Sequence, residues 1–284
     1  MNILCIGDIV GRPGREAVAA LLPKMKKEHA IDLVVANAEN ASGGAGLIPK
    51  NADEILGMGV DVMTMGDHVW DKPEIFGYLQ ERRENIIRPA NFPEGVPGFG
   101  WTVVTASNGV RVGIINLLGR TFMRYNVFCP FLTLESIVSK IRDQASVIIV
   151  DMHAEATSEK VALGHFADGK ASLVFGTHTH IQTADEKILP QKTAYITDVG
   201  MSGPYDSVIG QDKVKIINRF LTSMPHKFEV AQSSGTVHGV IVKVDARTGR
   251  AEAVRRVSQE SPMAQPAAKA PSTAGRKAAS DNGN

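Results

Sequence analysis

The stretch Phe175-Gly-Thr-His-Thr-His-Ile181 places two histidines two residues apart, directly after the apolar run 171–175. A short apolar run of this kind is typical of a buried strand. In an extended backbone, residues i and i+2 point to the same side, so His178 and His180 are predicted to leave the strand end together. Neutral imidazole is the side chain that binds metals most often. One such pair does not establish a metal site, so its meaning depends on ligand-type residues elsewhere in the chain.

The composition is typical of a globular protein of enzyme size. The chain has 284 residues, of which 43% are hydrophobic and 21% charged, and its formal net charge is +1. This charge gives no electrostatic reason to expect nucleic acid or a membrane surface as partner. Two cysteines offer no disulfide framework, and no apolar stretch reaches the roughly 20 residues that span a bilayer. Because the N-terminus already has the pattern of a strand without a basic leader, we expect a cytoplasmic protein.

Apolar strands alternate with amphipathic helices along the first part of the chain, which predicts an α/β fold. Asn108-Gly109 favours a hairpin between two later strands, and residues 118–133 are a candidate lid loop. Beyond residue 257 the chain is rich in Ala, Pro, Ser and Lys, so we predict one domain over 1–257 and a disordered tail over 258–284. The predicted strands are 3–6, 32–36, 60–65, 100–105, 110–117, 145–150, 171–175, 193–197, 235–244 and 251–257. The predicted helices are one starting near Pro13 and those at 51–57, 72–81, 134–144 and 157–166.

Ligand-type side chains follow several of these strands by one or two residues. They are Asp8, Glu39, Asp67, His153 and the pair His178 and His180. In open α/β sheets the ligand site lies beyond the carboxyl ends of the strands. Each residue alone has an ordinary explanation: an aspartate can cap a helix, a glutamate can belong to a turn, and a histidine can be a satisfied core residue. Because five strand ends carry metal-type ligands, the metal site is the better interpretation.

The number and type of these side chains indicate the chemistry. Three carboxylates, one amide (Asn40, next to Glu39) and three histidines exceed the four ligands of a structural zinc site. No cysteine contributes to the set. Mixed oxygen and nitrogen ligands suit two ions of the Fe, Mn or Zn type with open positions. Two ions about 3.5–4 Å apart activate a water and hold the oxygens of an in-line displacement. The sequence therefore favours a phosphoester hydrolase.

An ordered series of short motifs runs through the chain. The series is Gly7-Asp8, Glu39-Asn40, Gly66-Asp67-His68, His153 and Gly176-Thr-His178-Thr-His180. Together these motifs resemble the series of the calcineurin-like metallophosphoesterases. Three longer phrases, at 36–44, 151–160 and 197–204, are similar to the bacterial YmdB-like branch, whose members act as cyclic-nucleotide phosphodiesterases. The resemblance covers about residues 1–257 and implies a four-layer α-β-β-α sandwich with mixed sheets.

The resemblance also implies a ligand set for two metal ions, with iron first, manganese as the alternative and zinc less favoured. One set is Asp8, Glu39, Asn40 and His180, and the other is Glu39 as a bridge with Asp67, His153 and His178. It further implies that His68 is not a ligand but a catalytic residue at the scissile phosphate, as leaving-group acid or charge stabiliser.

The chain departs from the superfamily pattern at two positions. Val10 stands where a histidine ligand is usual, and the YmdB-like branch replaces that ligand with Asn40. Asp67 stands where asparagine is usual, so the ligand charge becomes −3 instead of −2. Two divalent ions with a bridging hydroxide would then be neutral, whereas a trivalent iron would restore a positive centre. We hypothesise that Asp67 favours a centre containing Fe(III).

The function expected from this set is hydrolysis of a small phosphodiester, a cyclic nucleotide, by a metal-bridging hydroxide, with His68 assisting the departing alkoxide. Ser42, Gly43 and Gly44 are candidate substrate contacts, because glycines allow close backbone approach, although a flexible turn explains them equally well. Arg12, Arg120 and Arg124 are candidates to bind a phosphate or a base, but a solvated side chain is the better interpretation of each.

Two other functions stay open. One is a phosphomonoesterase or 5′-nucleotidase, although such nucleotidases usually carry a second domain for which 284 residues leave no room. The other is a metal-stabilised regulatory protein with little catalysis. A homo-oligomer is common among such enzymes.

Overall fold

The computed structural model describes residues 1–82 and 84–262. Most of the predicted tail, residues 263–284, lies outside the described residues. Within them the strands are β1 (Asn2–Ile6), β2 (Asp8–Ile9), β3 (Leu33–Asn37), β4 (Val62–Thr64), β5 (Ile86–Ile87), β6 (Trp101–Thr105), β7 (Arg111–Leu118), β8 (Val147–His153), β9 (Leu173–Thr177), β10 (Lys187–Ile188), β11 (Ala194–Ile196), β12 (Met201–Pro204), β13 (Gly235–Val244) and β14 (Ala251–Glu260). The helices are α1 (Gly11–Glu28), α2 (Pro49–Gly57), α3 (Ile75–Glu81), α4 (Pro130–Ile141), α5 (Thr157–Phe166) and α6 (Lys213–Thr222).

The strands form two mixed sheets. The first has the order β2-β12-β13-β1-β3-β4-β5, with β14 paired to β13. Its strands β1, β3, β4 and β5 run parallel, whereas β13 runs antiparallel to β1. The second sheet has the order β10-β11-β9-β8-β7-β6. In it β7, β8, β9 and β11 are parallel and both edge strands are antiparallel. Parallel strands of this kind are covered on both faces, which explains their continuous apolar sequences.

Three buried apolar clusters divide the molecule into layers. The central cluster joins the facing sides of the two sheets and includes Val35 and Phe175. The second packs α1, α2 and α3 against the outer face of the first sheet and includes Leu22 and Ile55. The third packs α4 and α5 against the outer face of the second sheet and includes Leu163. The order is helix, sheet, sheet, helix, so the predicted four-layer sandwich with mixed sheets is confirmed.

Several boundaries differ from the prediction. Helix α4 begins at Pro130 rather than at residue 134, because proline is favoured in the first turn of a helix. Strand β7 includes Leu118, so the candidate lid loop is residues 119–129 and not 118–133. Strand β14 continues through Glu260, because it pairs with β13 along its full length, and the predicted tail boundary at 258 was wrong. The predicted strand at 235–244 and the predicted helix at 157–166 are confirmed.

Helix α6 and strand β12 were not predicted. In α6 only Ile216 is buried, while most of its other apolar side chains are exposed, so the helix lacks the core contacts by which an amphipathic pattern is normally interpreted.

Among the described residues, no helix has the length and apolar character needed to cross a bilayer.

Candidate metal centre

The structure brings the predicted ligand residues together at one end of the sandwich. Glu39 follows β3 of the first sheet, and its Oε1 lies 3.0 Å from Nε2 of His153, the last residue of β8 in the second sheet. The carboxyl ends of the parallel strands of both sheets therefore meet here. The predicted ligands that meet at this end are Asp8, Glu39, Asn40, Asp67, His153, His178 and His180, all buried or half-buried. Neither Asp8 nor Asp67 caps a helix, because α1 is preceded by Val10 and α3 by Glu74.

The first group consists of Glu39, Asp67, His153 and His178, whose ligand atoms all lie within 4.8 Å of one another. His153 Nε2 is 3.1 Å from Asp67 Oδ1 and 3.1 Å from His178 Nδ1. His178 Nδ1 is 3.3 Å from Asp67 Oδ1. Ligand atoms that share one ion at about 2.1 Å lie roughly 3 Å apart. The spacing of this group therefore fits a single transition-metal ion.

The second group adjoins the first through Glu39. Asn40 Nδ2 lies 3.4 Å from Glu39 Oε1 and 3.2 Å from His180 Nε2. His180 Nε2 lies 3.8 Å from Asp8 Oδ1. Both Asp8 Oδ1 and Asn40 Oδ1 are buried, and no donor among the described residues reaches either atom. Because buried oxygens are normally satisfied, this pair of oxygens beside an imidazole fits a second cation.

The side chains at this site favour positive charge. Burial alone would lower the pKa of His153, but Glu39 and Asp67 raise it well above its usual value. Burial would raise the pKa values of the Glu39 and Asp67 carboxyls, but the neighbouring histidines lower both pKa values instead. The pKa of Asp8 is raised, chiefly because the carboxyl is fully buried. A metal ion would supply the positive charge that the proton on His153 otherwise provides, so metal binding is expected to release protons.

The imidazoles of His153 and His180 each form a hydrogen bond through Nδ1. These bonds fix Nε2 as the nitrogen that faces the other ligand residues. His180 Nδ1 donates to the carbonyl of Ile209 at 2.9 Å, which leaves Nε2 toward Asp8 and Asn40. His153 Nδ1 lies 2.9 Å from Thr177 Oγ1, and the Thr177 hydroxyl donates to Asp151 Oδ1 at 2.7 Å. His153 therefore presents Nε2 to Glu39. Outer hydrogen bonds of this kind orient metal-ligating histidines.

The backbone that carries the two histidines is not extended, so the predicted reason for their shared orientation was wrong. Strand β9 ends at Thr177, and φ is +97° at His178 and +66° at His180. Left-handed backbone is uncommon for residues other than glycine and marks a locally strained segment. The two imidazoles reach different ligand groups through this turn.

A buried ion pair holds the turn in place. Asp198 accepts hydrogen bonds from the backbone N and the hydroxyl of Thr179, at 3.2 and 2.7 Å. The same carboxylate lies 2.7 Å from Lys160 Nζ, and both side chains are almost fully buried. The pair thus fixes the residue between the two histidines.

Replacing Asp198 with alanine is expected to lower the free energy of unfolding by about 3–5 kcal/mol, because Lys160 would stay buried without its counter-ion. Urea denaturation of the purified variant measures the change. The double variant Asp198→Ala/Lys160→Met is the control and should recover part of the loss, because it leaves no unpaired buried charge. A loss below about 1 kcal/mol in the single variant would contradict this role.

His68 lies at the edge of the first group and belongs to a small hydrogen-bonded set. Its backbone N donates to Glu39 Oε2 at 2.8 Å, and its Nδ1 lies 2.7 Å from Asp71 Oδ2. Arg124 Nη2 donates to Asp71 Oδ1 at 2.7 Å. Burial would raise the pKa of Asp71, but the hydrogen bonds from His68 and Arg124 lower it. Asp71 therefore stays ionised and orients the imidazole, a role that the sequence interpretation missed.

Arg124 was interpreted as a solvated side chain, and this was wrong. Its Nε lies 3.3 Å from Asp67 Oδ2, and its Nη2 donates to the backbone carbonyl of Asp67. The loop of residues 119–129 thereby reaches the rim of the site. No local pattern marks this arginine, since its hydrogen-bond partners Asp67 and Asp71 are 53 or more residues away in the chain.

The predicted substrate loop is only partly turned toward solvent. Ser42 Oγ accepts hydrogen bonds from the backbone N of Ile48 at 2.9 Å and from Asn51 Nδ2 at 2.8 Å, so the hydroxyl holds the loop to α2. Gly43 and Gly44 have positive φ, and a Cβ on Gly44 would lie 2.9 Å from Val230. Contact of these residues with substrate stays a prediction.

This four-layer fold, with carboxylates and histidines gathered at the strand ends of both sheets, is that of the calcineurin-like phosphoesterases. More narrowly, the chain belongs to the family of YmdB-like proteins, whose family model matches residues 4–257.

Three relatives support the family. A Bacillus subtilis (strain 168) protein named 2′,3′-cyclic-nucleotide 2′-phosphodiesterase is 48% identical over 257 residues, covering 90% of this chain and 96% of the relative. A hypothetical protein from Thermus thermophilus has a crystal structure with a TM-score of 0.85 and 38% identity, covering 92% of this chain and all of that chain. A crystal structure described as a novel phosphatase of Mycoplasma pneumoniae has a TM-score of 0.86 and 32% identity, covering 92% of this chain and 94% of that chain.

Proposed function

We propose that the chain is a dinuclear metal-dependent phosphodiesterase that hydrolyses cyclic nucleotides of the 2′,3′ type. The observation that carries the proposal is the pair of adjoining ligand groups that meet at Glu39. The Bacillus subtilis relative, which is 48% identical to this chain over 257 residues, supports the choice of substrate by its name.

Asp8, Glu39, Asn40 and His180 would hold one ion, and Glu39, Asp67, His153 and His178 the other. The residues fit such ions because two buried oxygens lack donors and because the histidine nitrogens are oriented by outer hydrogen bonds. Two metal ions, when bound, activate a water for in-line attack and neutralise the charge that develops on the phosphate oxygens.

His68 would serve the leaving oxygen. Hydrolysis of a 2′,3′-cyclic diester breaks one bond between phosphorus and a ribose oxygen, and that oxygen needs a proton as it departs. His68 Nδ1 lies against Asp71 Oδ2, so Nε2 is the nitrogen available to a substrate. Histidine is the side chain that most often serves as a general acid or base, so His68 is the candidate acid.

The first test is elemental analysis of the purified protein together with hydrolysis of bis-p-nitrophenyl phosphate, p-nitrophenyl phosphate and 2′,3′-cyclic AMP. The proposal expects about two transition-metal ions per chain and turnover of both diesters. Faster turnover of the monoester than of either diester would favour the phosphomonoesterase instead. Absence of metal, with no activity after addition of Mn(II), would contradict the proposed centre.

Asp67 is proposed to select iron, with manganese as the alternative and zinc less favoured. Replacing Asp67 with asparagine is expected to lower the ratio of iron to manganese in protein from cells supplied with both metals, because one negative ligand charge is lost. Elemental analysis measures the ratio. The matched control is Asp71→Asn, which removes a nearby charge that faces His68 and Arg124 instead of the ligand group.

The guanidinium of Arg124 also bears on this prediction. It lies 3.3 Å from Asp67 Oδ2 and offsets part of the extra negative charge that the sequence argument assigned to the centre. Arg124→Ala should therefore raise the ratio of iron to manganese. Equal ratios in the wild type, Asp67→Asn and Arg124→Ala would show that ligand charge at residue 67 does not select the metal.

A further inference from the structure

We propose that the chain has a second binding site, for a small ligand with two phosphate groups, at the opposite end of the sandwich from the candidate metal centre. A cavity of about 440 Å³ lies there, where β8, β9 and β11 begin. Strand β8 has 7 residues and ends at His153, so the cavity lies roughly 20 Å from the metal centre. The volume is within the range of small-ligand sites.

Four cationic residues, Arg142, Lys170, Lys192 and Arg250, line the cavity, and no acidic residue does. The whole chain has a net charge of only +1, so this concentration of one sign is local. Within residues 1–82 and 84–262, no carboxylate forms an ion pair with Arg142, Lys192 or Arg250. Clefts lined by one sign of charge focus the field and attract ligands of the opposite sign.

The carboxylates beside the cavity are hydrogen-bonded or paired with neighbouring groups. Asp168 accepts hydrogen bonds from the backbone N of Gln191 at 3.0 Å and of Thr193 at 3.3 Å. Glu135 lies 3.3 Å from Lys170 Nζ, and its own side chain is 59% exposed. A third carboxylate, that of Asp245, accepts a hydrogen bond from Thr248 Oγ1 at 2.8 Å. None of the three carboxylates forms an ion pair with Arg142, Lys192 or Arg250, so these three cations line the cavity without a paired counter-ion.

The floor of the cavity is rigid. Ser172 is buried, and its Oγ accepts a hydrogen bond from the backbone N of Ile148 at 3.2 Å. A Cβ on Gly249 would lie 2.1 Å from the carbonyl of Ser146, so only glycine lets the β13–β14 turn approach this floor. Lys192 is fixed by backbone hydrogen bonds to Leu189 and Ala251. The backbone beside the cavity is thus ordered, and the entropy lost when a ligand binds is chiefly that of the exposed side chains of Arg142, Lys192 and Arg250.

The lining indicates the chemistry of the ligand. No aromatic side chain contributes to it, so a nucleobase would find no ring on which to stack. Arginine and lysine bind phosphate oxygens by charge-assisted hydrogen bonds. Lys170 Nζ is engaged by Glu135 and lies 3.7 Å from the centroid of the Phe166 ring, which leaves Arg142, Lys192 and Arg250. Three such cations around one small cavity suit a diphosphate or a bisphosphate better than a single monoanion.

The experiment uses inorganic pyrophosphate as the probe and the full, metal-loaded chain. Isothermal titration should detect a pyrophosphate site whose affinity falls at least about tenfold in Lys192→Ala/Arg250→Ala. Metal content and hydrolysis of bis-p-nitrophenyl phosphate should be unchanged in that variant, which separates this site from any binding of pyrophosphate at the metal centre.

Lys24→Ala/Lys50→Ala is the matched control, because it removes the same charge from α1 and α2, remote from the cavity. Equal affinity in the wild type and the cavity variant would overturn the proposal. An equal loss in the control would also overturn it, since the effect would then be one of net charge. A single-stranded oligonucleotide that binds more tightly than pyrophosphate, and loses affinity in the cavity variant, would overturn the assignment to a small ligand.

Discussion

Replacing Glu39 with alanine is expected to remove most of the bound transition metal and to lower phosphodiester hydrolysis by more than about 100-fold. Changes in residues that only orient metal ligands already cost about 10–100-fold in affinity or activity, and Glu39 contacts both ligand groups directly. Its Oε1 lies 3.0 Å from His153 Nε2 and 3.4 Å from Asn40 Nδ2. Elemental analysis and the rate of bis-p-nitrophenyl phosphate hydrolysis measure the two effects.

Glu155→Ala is the matched control for this variant. Glu155 Oε2 lies 3.2 Å from His178 Nε2, but its side chain is 50% exposed and touches only one ligand. We expect the control to keep its metal and to lose far less activity. If Glu39→Ala retained two ions per chain, Glu39 would not be the bridge between them. If it lost one ion and kept its activity, catalysis would need a single metal.

The strand pattern made most of the fold predictable, because buried parallel strands and their covering helices have strong periodic signals. The same pattern predicted that Asp8, Glu39 and His153 lie at strand ends, and the structure brings these residues together. Helix α6 was not predictable in this way, since its apolar residues do not face the core. Strand β12 is short and begins after the positive-φ residue Gly200, so no apolar run in the sequence indicates a strand there.

Contacts between distant loops account for what the sequence did not reveal at the site. Arg124 reaches Asp67 from the loop 119–129, and Asp198 holds Thr179 from beyond β11. Neither contact follows from local spacing, because each depends on how the loops fold over the ends of two separate sheets. The turn at 178–180 is a related example: the histidine pair was evident, but its left-handed backbone depends on Asp198 and Lys160, which lie in other segments.

Replacing His68 with alanine is expected to lower phosphodiester hydrolysis by about 10²–10⁴-fold, the usual effect of losing a general acid. The metal content should not change, because the imidazole contacts Asp71 and not the ligand group. The backbone N of residue 68, which donates to Glu39 Oε2, is still present in alanine. Single-turnover hydrolysis of 2′,3′-cyclic AMP by metal-loaded protein measures the chemical step directly.

Asp71→Asn is the companion variant, because the amide can still hold His68 Nδ1 but no longer carries charge. Since Asp71 orients the imidazole without touching the substrate, its replacement should lower the rate less than the loss of His68 does.

The leaving group provides a second criterion. His68→Ala should slow the hydrolysis of diesters whose leaving group is an alkoxide more than that of bis-p-nitrophenyl phosphate, because p-nitrophenolate departs without a proton. An equal loss for both substrates would favour charge stabilisation of the phosphate over proton donation. An unchanged rate would remove His68 from the mechanism. Hydrolysis no faster than background in both the wild type and the variant, with metal bound, would favour the regulatory alternative.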